Sequence, residues 1–185
     1  MEVQSATLIS ELIDITNQNL AFAEILKAKS EKQLNWRASE KSWSILECLE
    51  HLNLYGDFYI PEINNVIFKA RSKSDVVFKS GLLGNYFAES MLPKEKMAKM
   101  NTFKSKNPIH SRLDPTTIDR FIDQQHQLID LLEQSRNISL NNEKTQISLT
   151  KWIRLKIGDT FRFVINHNIR HLKQIENVMM LGKMD

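Results

Sequence analysis

The chain has 185 residues, of which 42% are hydrophobic and 25% charged, so it can bury one core and we expect a single domain over residues 1–185. Its formal net charge of +3 comes from 25 basic and 22 acidic side chains, interspersed along most of the chain. This bias is too small to indicate a nucleic-acid partner, which normally needs a clustered basic face. The single cysteine, Cys48, excludes an intramolecular disulfide and fits a reducing compartment.

The N-terminal segment has acids within its apolar pattern and lacks a basic start, so it does not look like a signal peptide. No stretch approaches the roughly 20 apolar residues that are needed to span a bilayer. We therefore expect a cytoplasmic protein without a membrane partner.

Four long segments repeat apolar residues every three or four positions, which is the pattern of an amphipathic helix. The first has one inward stripe, made of Leu8, Leu12, Ile15, Phe22 and Leu26. The second begins near Ser42 or Ser44, either of which can cap a helix, and runs to about Phe68 with a kink expected at Pro61. Its buried face is made of Ile45, Cys48, Leu49, Leu52, Tyr55 and Phe58.

The stretch from Lys69 to His110 has a different composition and is predicted to be a connection rather than core. It contains the lysine-rich run PKEKMAKMNTFKSK, interpreted as a solvated loop or, alternatively, as a patch for an anionic partner. The overlapping run AESMLPKEKMAKM is compatible with a lid, an interface or a disordered segment. If Phe87, Met91 and Leu92 face outward, they offer a surface for a homodimer.

A third helix is predicted to begin at Asp114, with Pro115 in its first position, and to end near Gln134. Its inward stripe is made of Ile118, Phe121, Ile122, Ile129 and Leu132. The fourth helix is predicted from Asp159 to a stop at Gly182. Between these two helices, ISLTKWIRLKI alternates apolar residues and is compatible with an extended segment or a short turn of helix.

Four amphipathic helices of about 20 residues, joined by connections of unequal length, predict an all-α fold. We expect an antiparallel four-helix bundle with its long connection between the second and third helices. Strand signals are too sparse to predict a sheet.

Two histidines of the fourth helix, His167 and His171, lie on the stripe that must face the core. Residues four apart in a helix lie one above the other, so both imidazoles can reach one ion at about 2.0–2.1 Å. His51 also belongs to an apolar stripe, three residues after Cys48 and four before Tyr55. A charged imidazole is costly in such a place unless it has a partner, and a metal ion between the two helices would supply one.

Each candidate also has a simpler interpretation. An inward histidine is often a hydrogen-bonded core residue, and an HxxxH pair arises easily by chance. His126 also touches a buried stripe, where partial burial is the simpler account, and His110 lies in the loop. Cys48 is interpreted as a small buried residue, with a fourth-ligand role as the alternative. Glu47 either faces water, orients His51 or acts as a base.

Two segments of the sequence, WSILECLEHL (Trp43 to Leu52) and HNIRHLKQI (His167 to Ile175), resemble the signature segments of the DinB-like superfamily, which includes DinB and YfiT-like metalloenzymes. The combination of W-S-x-x-E-x-x-x-H-L with H-x-x-x-H-x-x-Q is more specific than either half. The resemblance covers nearly the whole chain, and it implies a four-helix bundle with a long crossover.

The resemblance also implies a site. It places His51, His167 and His171 as the ligands of one divalent ion. Gln174 matches the glutamine that is usual after the second histidine of the pair, and Trp43 matches the tryptophan that packs at the start of the second helix. Neither residue is implied to touch the metal. The lengthened segment from Lys69 to His110 departs from the family pattern and would lie near the pocket mouth.

Members of the family include thiol-dependent S-transferases, a thiol-dependent isomerase and metal-dependent hydrolases. Three nitrogen ligands leave an open coordination position, which favours catalysis over a structural site. The leading hypothesis is a metal-dependent enzyme in which zinc, nickel or a similar ion activates a low-molecular-weight thiol for S-transfer to a small-molecule substrate. Hydrolysis by activated water is the nearest rival.

Three histidines do not identify the metal, because zinc, nickel, copper and iron all accept imidazole. A hypothesis of another class is a non-enzymatic bundle that binds metal or serves as a stress-response interaction protein. A third is that the histidines are merely packed and hydrogen-bonded.

Overall fold

The computed structural model describes residues 1–93 and 102–184, and the chain is mostly helical. In chain order its elements are β1 (Glu2–Gln4), α1 (Ser5–Leu26), α2 (Glu31–Leu34), α3 (Ile45–Lys69), β2 (Val77–Lys79), α4 (Leu82–Ser90), α5 (Thr116–Gln134), β3 (Lys144–Ile147), β4 (Thr150–Lys156) and α6 (Ile157–Gly182). Within the two described ranges, no helix combines the length and the apolar composition that crossing a bilayer requires.

Helix α3 begins where a side chain can satisfy the exposed amides of its first turn. The Ser44 hydroxyl accepts a hydrogen bond from the Glu47 amide (3.2 Å), and the Glu47 carboxylate accepts one from the Ser44 amide (2.8 Å). This capping box makes Ser44, rather than Ser42, the cap. The helix then continues through Pro61 to Lys69, so the proline does not end it.

The starts of α5 and α6 lie close to their predicted positions. The helix begins at Thr116 with Pro115 at its cap position, one residue later than predicted, and the Asp114 carboxylate accepts a hydrogen bond from the Thr116 amide (2.9 Å) just before it. Helix α6 begins at Ile157, two residues earlier than expected, and ends at Gly182.

Three inward stripes differ from prediction in detail. In α3, Tyr55 and Phe58 are half-buried, and Tyr59 is buried instead. In α5, Ile129 is half-buried, and the neighbouring Leu128 is the core residue instead. In α1, Ile15 and Phe22 are half-buried, whereas the rest of the predicted stripe is buried. The apolar period of 3.6 residues identifies the inward side of each helix, but it does not determine which residues at the edge of that side are fully buried.

Helices α3 and α5 run in the same direction, which corrects the predicted antiparallel order. The Asn53 amide donates a hydrogen bond to the Thr117 carbonyl (3.0 Å) at the start of α5. Further along both helices, the Gln124 amide donates to the Asp57 carboxylate (3.1 Å). The start of α5 at Thr116 therefore lies at the end of the bundle where α3 begins.

Helices α3 and α6 run in opposite directions. The ring of His51 lies 5.1 Å from that of His167, whereas Tyr59, two turns later, lies 5.6 Å from Phe163, one turn earlier in α6. Helix α1 and helix α3 each pack against both α5 and α6. The face of α3 that carries His51 and Tyr59 thus meets α6 across the bundle interior.

The four long helices bury two apolar clusters, one toward each end of the bundle. The first cluster includes Leu8, Leu12, Tyr59, Ile63, Leu128, Leu132, Phe161 and Ile165. The second cluster includes Leu26, Ile45, Leu49, Phe121, Leu172, Ile175 and Val178. Between them lies a set of buried polar side chains, here called the polar layer, made of Thr16, Asn19, His51, Asn53, Gln124, Gln125, His167, Asn168 and His171.

Two small antiparallel sheets correct the expectation of an all-α fold without strands. Strand β1 pairs with β2, with Val3 opposite Phe78, and β3 pairs with β4, with Thr145 opposite Leu155. The second pair shows that ISLTKWIRLKI, for which extended backbone and a turn of helix were both possible, is mainly extended. The first pair was not predicted because β1 and β2 have three residues each, and so short an apolar run does not distinguish strand from helix.

Part of the predicted connection belongs to the core, which is a second correction. Phe78 of β2 is fully buried in the first cluster, and α4 packs against α6. Of the three residues expected to face outward, Met91 is buried, Phe87 is half-buried and Leu92 is exposed. They do not form one outward surface, and the homodimer remains a prediction. Most of the lysine-rich run, residues 94–101, lies outside the described residues.

Candidate metal centre

Helix α6 places His167 and His171 one turn apart on its inner face. Both side chains are buried, and their ring centroids lie 4.7 Å apart. Apolar residues on both sides, Ile165 and Leu172, anchor this part of the helix in the first and second clusters. The helix therefore holds two imidazoles in the bundle interior at fixed spacing.

Helix α3 brings His51 to the same point from the opposite side. Its Nε2 atom lies 3.2 Å from Nε2 of His167. One ligand nitrogen from each of His51, His167 and His171 lies within 4.8 Å of the others. Metal–nitrogen bonds of about 2.0–2.1 Å at tetrahedral angles would hold two nitrogens about 3.3 Å apart. The structure thus brings together the three histidines that the sequence singled out.

Hydrogen bonds to the outer ring nitrogens orient two of these imidazoles. Nδ1 of His51 donates to the carbonyl oxygen of Lys106 (2.6 Å), and Nδ1 of His171 donates to the side-chain oxygen of Gln174 (2.9 Å). Because both partners are acceptors, the protons lie on Nδ1, and the Nε2 lone pairs face the interior. Such partners normally fix the tautomer and the ring orientation of metal-binding histidines.

Burial keeps the three imidazoles neutral. Loss of solvation lowers the pKa of His51 to about 4, and the charge of nearby Lys106 adds to the effect. Loss of solvation, together with the neighbouring His51, lowers the pKa of His171 to about 3. The pKa of His167 is also lowered by burial and by the other two imidazoles. Neutral imidazole is the form that binds a metal ion.

Aromatic side chains surround the histidines. The Trp43 ring lies 4.8 Å from that of His51 and 5.7 Å from that of His171, and the Tyr55 ring lies 4.6 Å from that of His167. The Trp43 indole N–H donates to the side chain of Asn107 (3.1 Å). Trp43 therefore packs directly on the histidine cluster, and Asn107 fixes its position.

Glu47 has neither of the roles near His51 that the sequence suggested, and it does not face water. It is 1% exposed, its carboxylate binds the Arg37 guanidinium through two hydrogen bonds (2.6 and 2.8 Å), and it accepts a third from the His110 amide. Burial opposes its ionisation, but these bonds outweigh burial and lower the pKa of the carboxyl group. Glu47 holds the end of the long connection against α3, while Lys106 orients His51.

The remaining candidates lie away from the three histidines. Cys48 is fully buried in the second cluster, where burial raises the pKa of its thiol. His126 is exposed, which corrects its expected partial burial. His110 lies at the edge of the cleft with a positive φ of 63°. Among the described residues, the three-histidine group is the one cluster of possible ligands that could share an ion.

A cleft of about 970 Å³ opens onto the three histidines. Its walls come from α3, α4, α6, the β3–β4 hairpin and the end of the long connection, and they include Tyr59, Phe87, Phe103, Leu155, Phe163 and Arg170. The volume suits a small molecule. The histidine nitrogens therefore lie within reach of a ligand that enters the cleft.

Some residues of the site could not be found from the sequence pattern. Lys106 contributes a backbone carbonyl, which any residue type provides, and Asn107 lies in a segment without periodicity. Arg170 lines the cleft, but in the sequence it resembles any charged residue of an amphipathic helix. Tyr55 was identified as part of a buried face, although its contact with His167 was not expected.

The fold and the site together define a class of protein. It is a helical bundle in which three neutral, buried imidazoles from two helices meet below a cleft and could bind a divalent ion. The family model of the DinB superfamily matches residues 16–175, and the chain belongs to that superfamily. This confirms the resemblance seen in the two histidine-containing segments.

The structure of YfiT from Bacillus subtilis, described as a probable metal-dependent hydrolase with an unusual four-helix bundle topology, matches this chain with a TM-score of 0.58. The match covers 96% of this chain and 89% of YfiT, at 10% sequence identity. At that identity the likeness shows the fold alone. Among curated proteins, none matches the sequence.

Proposed function

We propose that the protein is a metal-dependent enzyme in which His51, His167 and His171 bind one divalent ion, zinc or nickel. The observation that carries this proposal is the convergence of three neutral imidazole nitrogens, within 4.8 Å of one another, below a cleft large enough for a small molecule. The donor set fits such an ion, because neutral imidazole is a preferred ligand of both metals. When bound, the ion would supply Lewis acidity that lowers the pKa of a thiol or a water molecule in the cleft.

The protein's own residues would prepare the site. The Lys106 carbonyl and Gln174 keep the protons of His51 and His171 on Nδ1, so that the Nε2 lone pairs point inward. Trp43 packs on both rings and limits their rotation. Among the described lining residues, Glu40 is the one acid, and it is exposed. No described carboxylate therefore occupies the fourth side of the histidine cluster.

The reaction we propose is S-transfer from a low-molecular-weight thiol to a small electrophile. The thiol sulfur forms a bond to the electrophilic carbon, the leaving group departs with the electron pair of the broken bond, and the thiol proton passes to solvent through the open cleft. The aromatic and aliphatic walls of the cleft suit an electrophile with an apolar body.

Hydrolysis is the second candidate, and the description of YfiT as a probable metal-dependent hydrolase favours it. It would use the same three histidines with water as the nucleophile. The two reactions differ in their requirement for a thiol. An assay of electrophilic esters and halides, with and without added thiols, separates them by whether turnover depends on the thiol.

The test of the metal site is direct. Protein purified without a histidine tag is analysed for metal, then stripped with a chelator and titrated with zinc and nickel, alongside His171→Ala and the exposed-histidine control His126→Ala. We expect one ion per chain in the wild type and in His126→Ala, and loss of binding in His171→Ala. A wild-type protein that takes up no metal on titration would rule out the proposed function.

A further inference from the structure

The last part of the long connection is attached to α3 at several points. The Lys106 carbonyl accepts a hydrogen bond from Nδ1 of His51 (2.6 Å). Four residues further along, the His110 amide donates a hydrogen bond to the Glu47 carboxylate. Because Glu47 and His51 are one turn apart in α3, they lie on the same side of the helix. Residues 106–110, here called the orienting segment, therefore connect the Glu47 carboxylate to the imidazole of His51.

Glu47 is a buried, charged anchor for this segment. Its side chain is 1% exposed, and its carboxylate also accepts hydrogen bonds from the Arg37 guanidinium (2.6 and 2.8 Å) and the Ser44 amide (2.8 Å). Charge-assisted bonds of this kind are about twice as strong as bonds between neutral groups. Among the described residues, the hydrogen bonds of Glu47 do not include His51. The structure therefore offers the orienting segment as the route by which Glu47 acts on the imidazole.

The backbone of His110 indicates that the segment depends on this anchor. Its φ of 63° lies in the left-handed region, which is unfavourable for a residue with a side chain. Such a conformation persists only where the surrounding structure holds it. Within the described residues, the His110 amide is held by the Glu47 carboxylate. Loss of the carboxylate should therefore let this backbone relax and move the Lys106 carbonyl.

We propose that Glu47 is a positioning residue of the metal centre, which acts on His51 indirectly. By holding His110, it keeps the Lys106 carbonyl beside Nδ1 of His51. The proton then stays on Nδ1, and the Nε2 lone pair stays available for an ion. An imidazole released from the carbonyl can place its proton on Nε2 instead, and that nitrogen then has no lone pair to donate. The inference rests on the proposed function for the ion, but not for the orientation of the ring.

The first test follows the Nδ1 proton of His51 in the metal-free protein. Histidine is labelled with ¹⁵N, and exchange of the ring N–H protons with solvent is measured by nuclear magnetic resonance. Glu47→Ala should speed the exchange of the His51 proton by at least about threefold, a part of the tenfold or more that a hydrogen bond to a charged group is worth. The Nδ1 proton of His171, which binds Gln174 outside the segment, is the internal reference and should not change. Equal rates for His51 in the wild type and the variant would overturn the proposal.

The second test measures zinc affinity by competition with an indicator. Glu47→Ala should weaken zinc binding by roughly three- to tenfold, at or below the lower end of the loss caused by removing a direct partner of a metal-binding histidine. Glu47→Gln retains an oxygen that accepts a hydrogen bond from His110, so it should have a smaller effect in the same direction. It also replaces Glu47→Ala if that variant fails to fold. Unchanged zinc affinity in both variants would contradict the proposal.

Asp159→Ala is the matched control for a loss of stability. Asp159 is likewise a fully buried carboxylate, which pairs with Arg162 (3.2 Å) and accepts a hydrogen bond from a loop amide, that of Gly81 (2.8 Å). Neither partner belongs to the orienting segment, so Asp159→Ala should leave the His51 proton and the zinc affinity unchanged. A change as large as that in Glu47→Ala would assign the effect to general destabilisation and reject the positioning role.

The wild-type protein provides a further test that needs no substitution. Coupling between two sites is reciprocal, so an ion that binds better when the segment is attached must also hold the segment in place. Zinc should therefore slow hydrogen exchange of the His110 amide at least about threefold more than that of the Gly81 amide, which also donates to a buried carboxylate. Equal slowing of the two amides would show that the coupling is absent.

The outcomes keep the two proposals distinguishable. Zinc binding that does not respond to Glu47 would leave the metal centre standing and reject the positioning role. A wild-type protein that binds no zinc would rule out the proposed function, and the Nδ1 proton of His51 would still decide whether Glu47 positions the ring.

Discussion

The two apolar clusters and the polar layer between them are built from the same four helices, yet they differ in how they affect stability. Leu49 and Ile175 are fully buried among aliphatic side chains. In the polar layer, buried amides bind each other instead, as when Asn168 donates to Gln125 (3.1 Å). Asn19 Nδ2 has no hydrogen-bond partner among the described residues. A buried amide without a partner costs free energy, so the apolar clusters must supply the stability that offsets the cost of the polar layer.

This difference shows where function is located in the bundle. A layer that lowers stability persists only because strongly packed residues flank it on every helix. His167 and His171 continue helix α6 between residues of the first and second clusters. Their positions are therefore fixed by neighbours that take no part in the chemistry.

The largest effect should come from the clusters. Phe161 is 1% exposed in the first cluster, and Phe161→Ala should lower the free energy of unfolding by about 3–5 kcal/mol because it removes a large buried ring and leaves a cavity. Chemical denaturation followed by circular dichroism measures it. Trp152→Ala is the control, since Trp152 is 94% exposed and its loss should change stability by less than about 0.5 kcal/mol. Equal effects of the two substitutions would show that the clusters do not dominate stability.

Local features of the fold were predictable because the signals act over one or two turns. Ser44 and Asp114 were identified as cap candidates, and the inward direction of His51, His167 and His171 followed from helical spacing. The relative direction of α3 and α5 was not predictable, since a periodic stripe reads the same in either direction. Contacts made after α3 help to set it, such as that of Phe78 with the first cluster, and the short apolar run Val76 to Phe78 gives no sign of which helices it will contact.

The candidate site was predictable to a similar extent. Side-chain types and spacing identified the three histidines, and the resemblance to the DinB-like superfamily identified Gln174. The partner of His51 is a backbone carbonyl, which leaves no trace in the residue type of Lys106. The buried ion pair of Glu47 with Arg37 was also missed, because the sequence separation between them reflects a loop path and not a helical period.

The second effect should be stabilisation of the polar layer by metal. Zinc at about 100 times its dissociation constant should raise the free energy of unfolding by about 2.7 kcal/mol, provided that it binds the folded chain alone. The thermal midpoint measured with and without zinc tests this. His171→Ala should abolish the increase, whereas Phe161→Ala, if it folds, should retain it. A wild-type midpoint that does not respond to zinc would contradict the expected stabilisation.

A third effect concerns the buried charge at the edge of the second cluster. Glu47→Gln should cost about 2 kcal/mol, since the neutral amide loses the charge-assisted hydrogen bonds with the partly exposed Arg37. The folded-state pKa of Glu47 is lowered, so its contribution is complete above the unfolded pKa of about 4.5 and is lost as the pH falls through the lower folded pKa. Stability of the wild type should therefore decline more steeply below pH 4.5 than that of Glu47→Gln. Parallel pH profiles of the two proteins would contradict this.

The smallest effect should come from the hydrogen bond that orients the His171 ring. Gln174 contacts His171 and is not a candidate ligand, so Gln174→Ala should lower zinc affinity by about tenfold, near the lower end of the range for partners of metal-binding histidines, with little change in metal-free stability. Competition with a zinc indicator measures it, and Gln127→Ala, at an exposed position of α5, is the control. If Gln174→Ala binds zinc as tightly as the wild type, packing of Trp43 on His171 is sufficient to hold the ring. In that case the polar layer would owe its geometry to the flanking side chains rather than to its own hydrogen bonds.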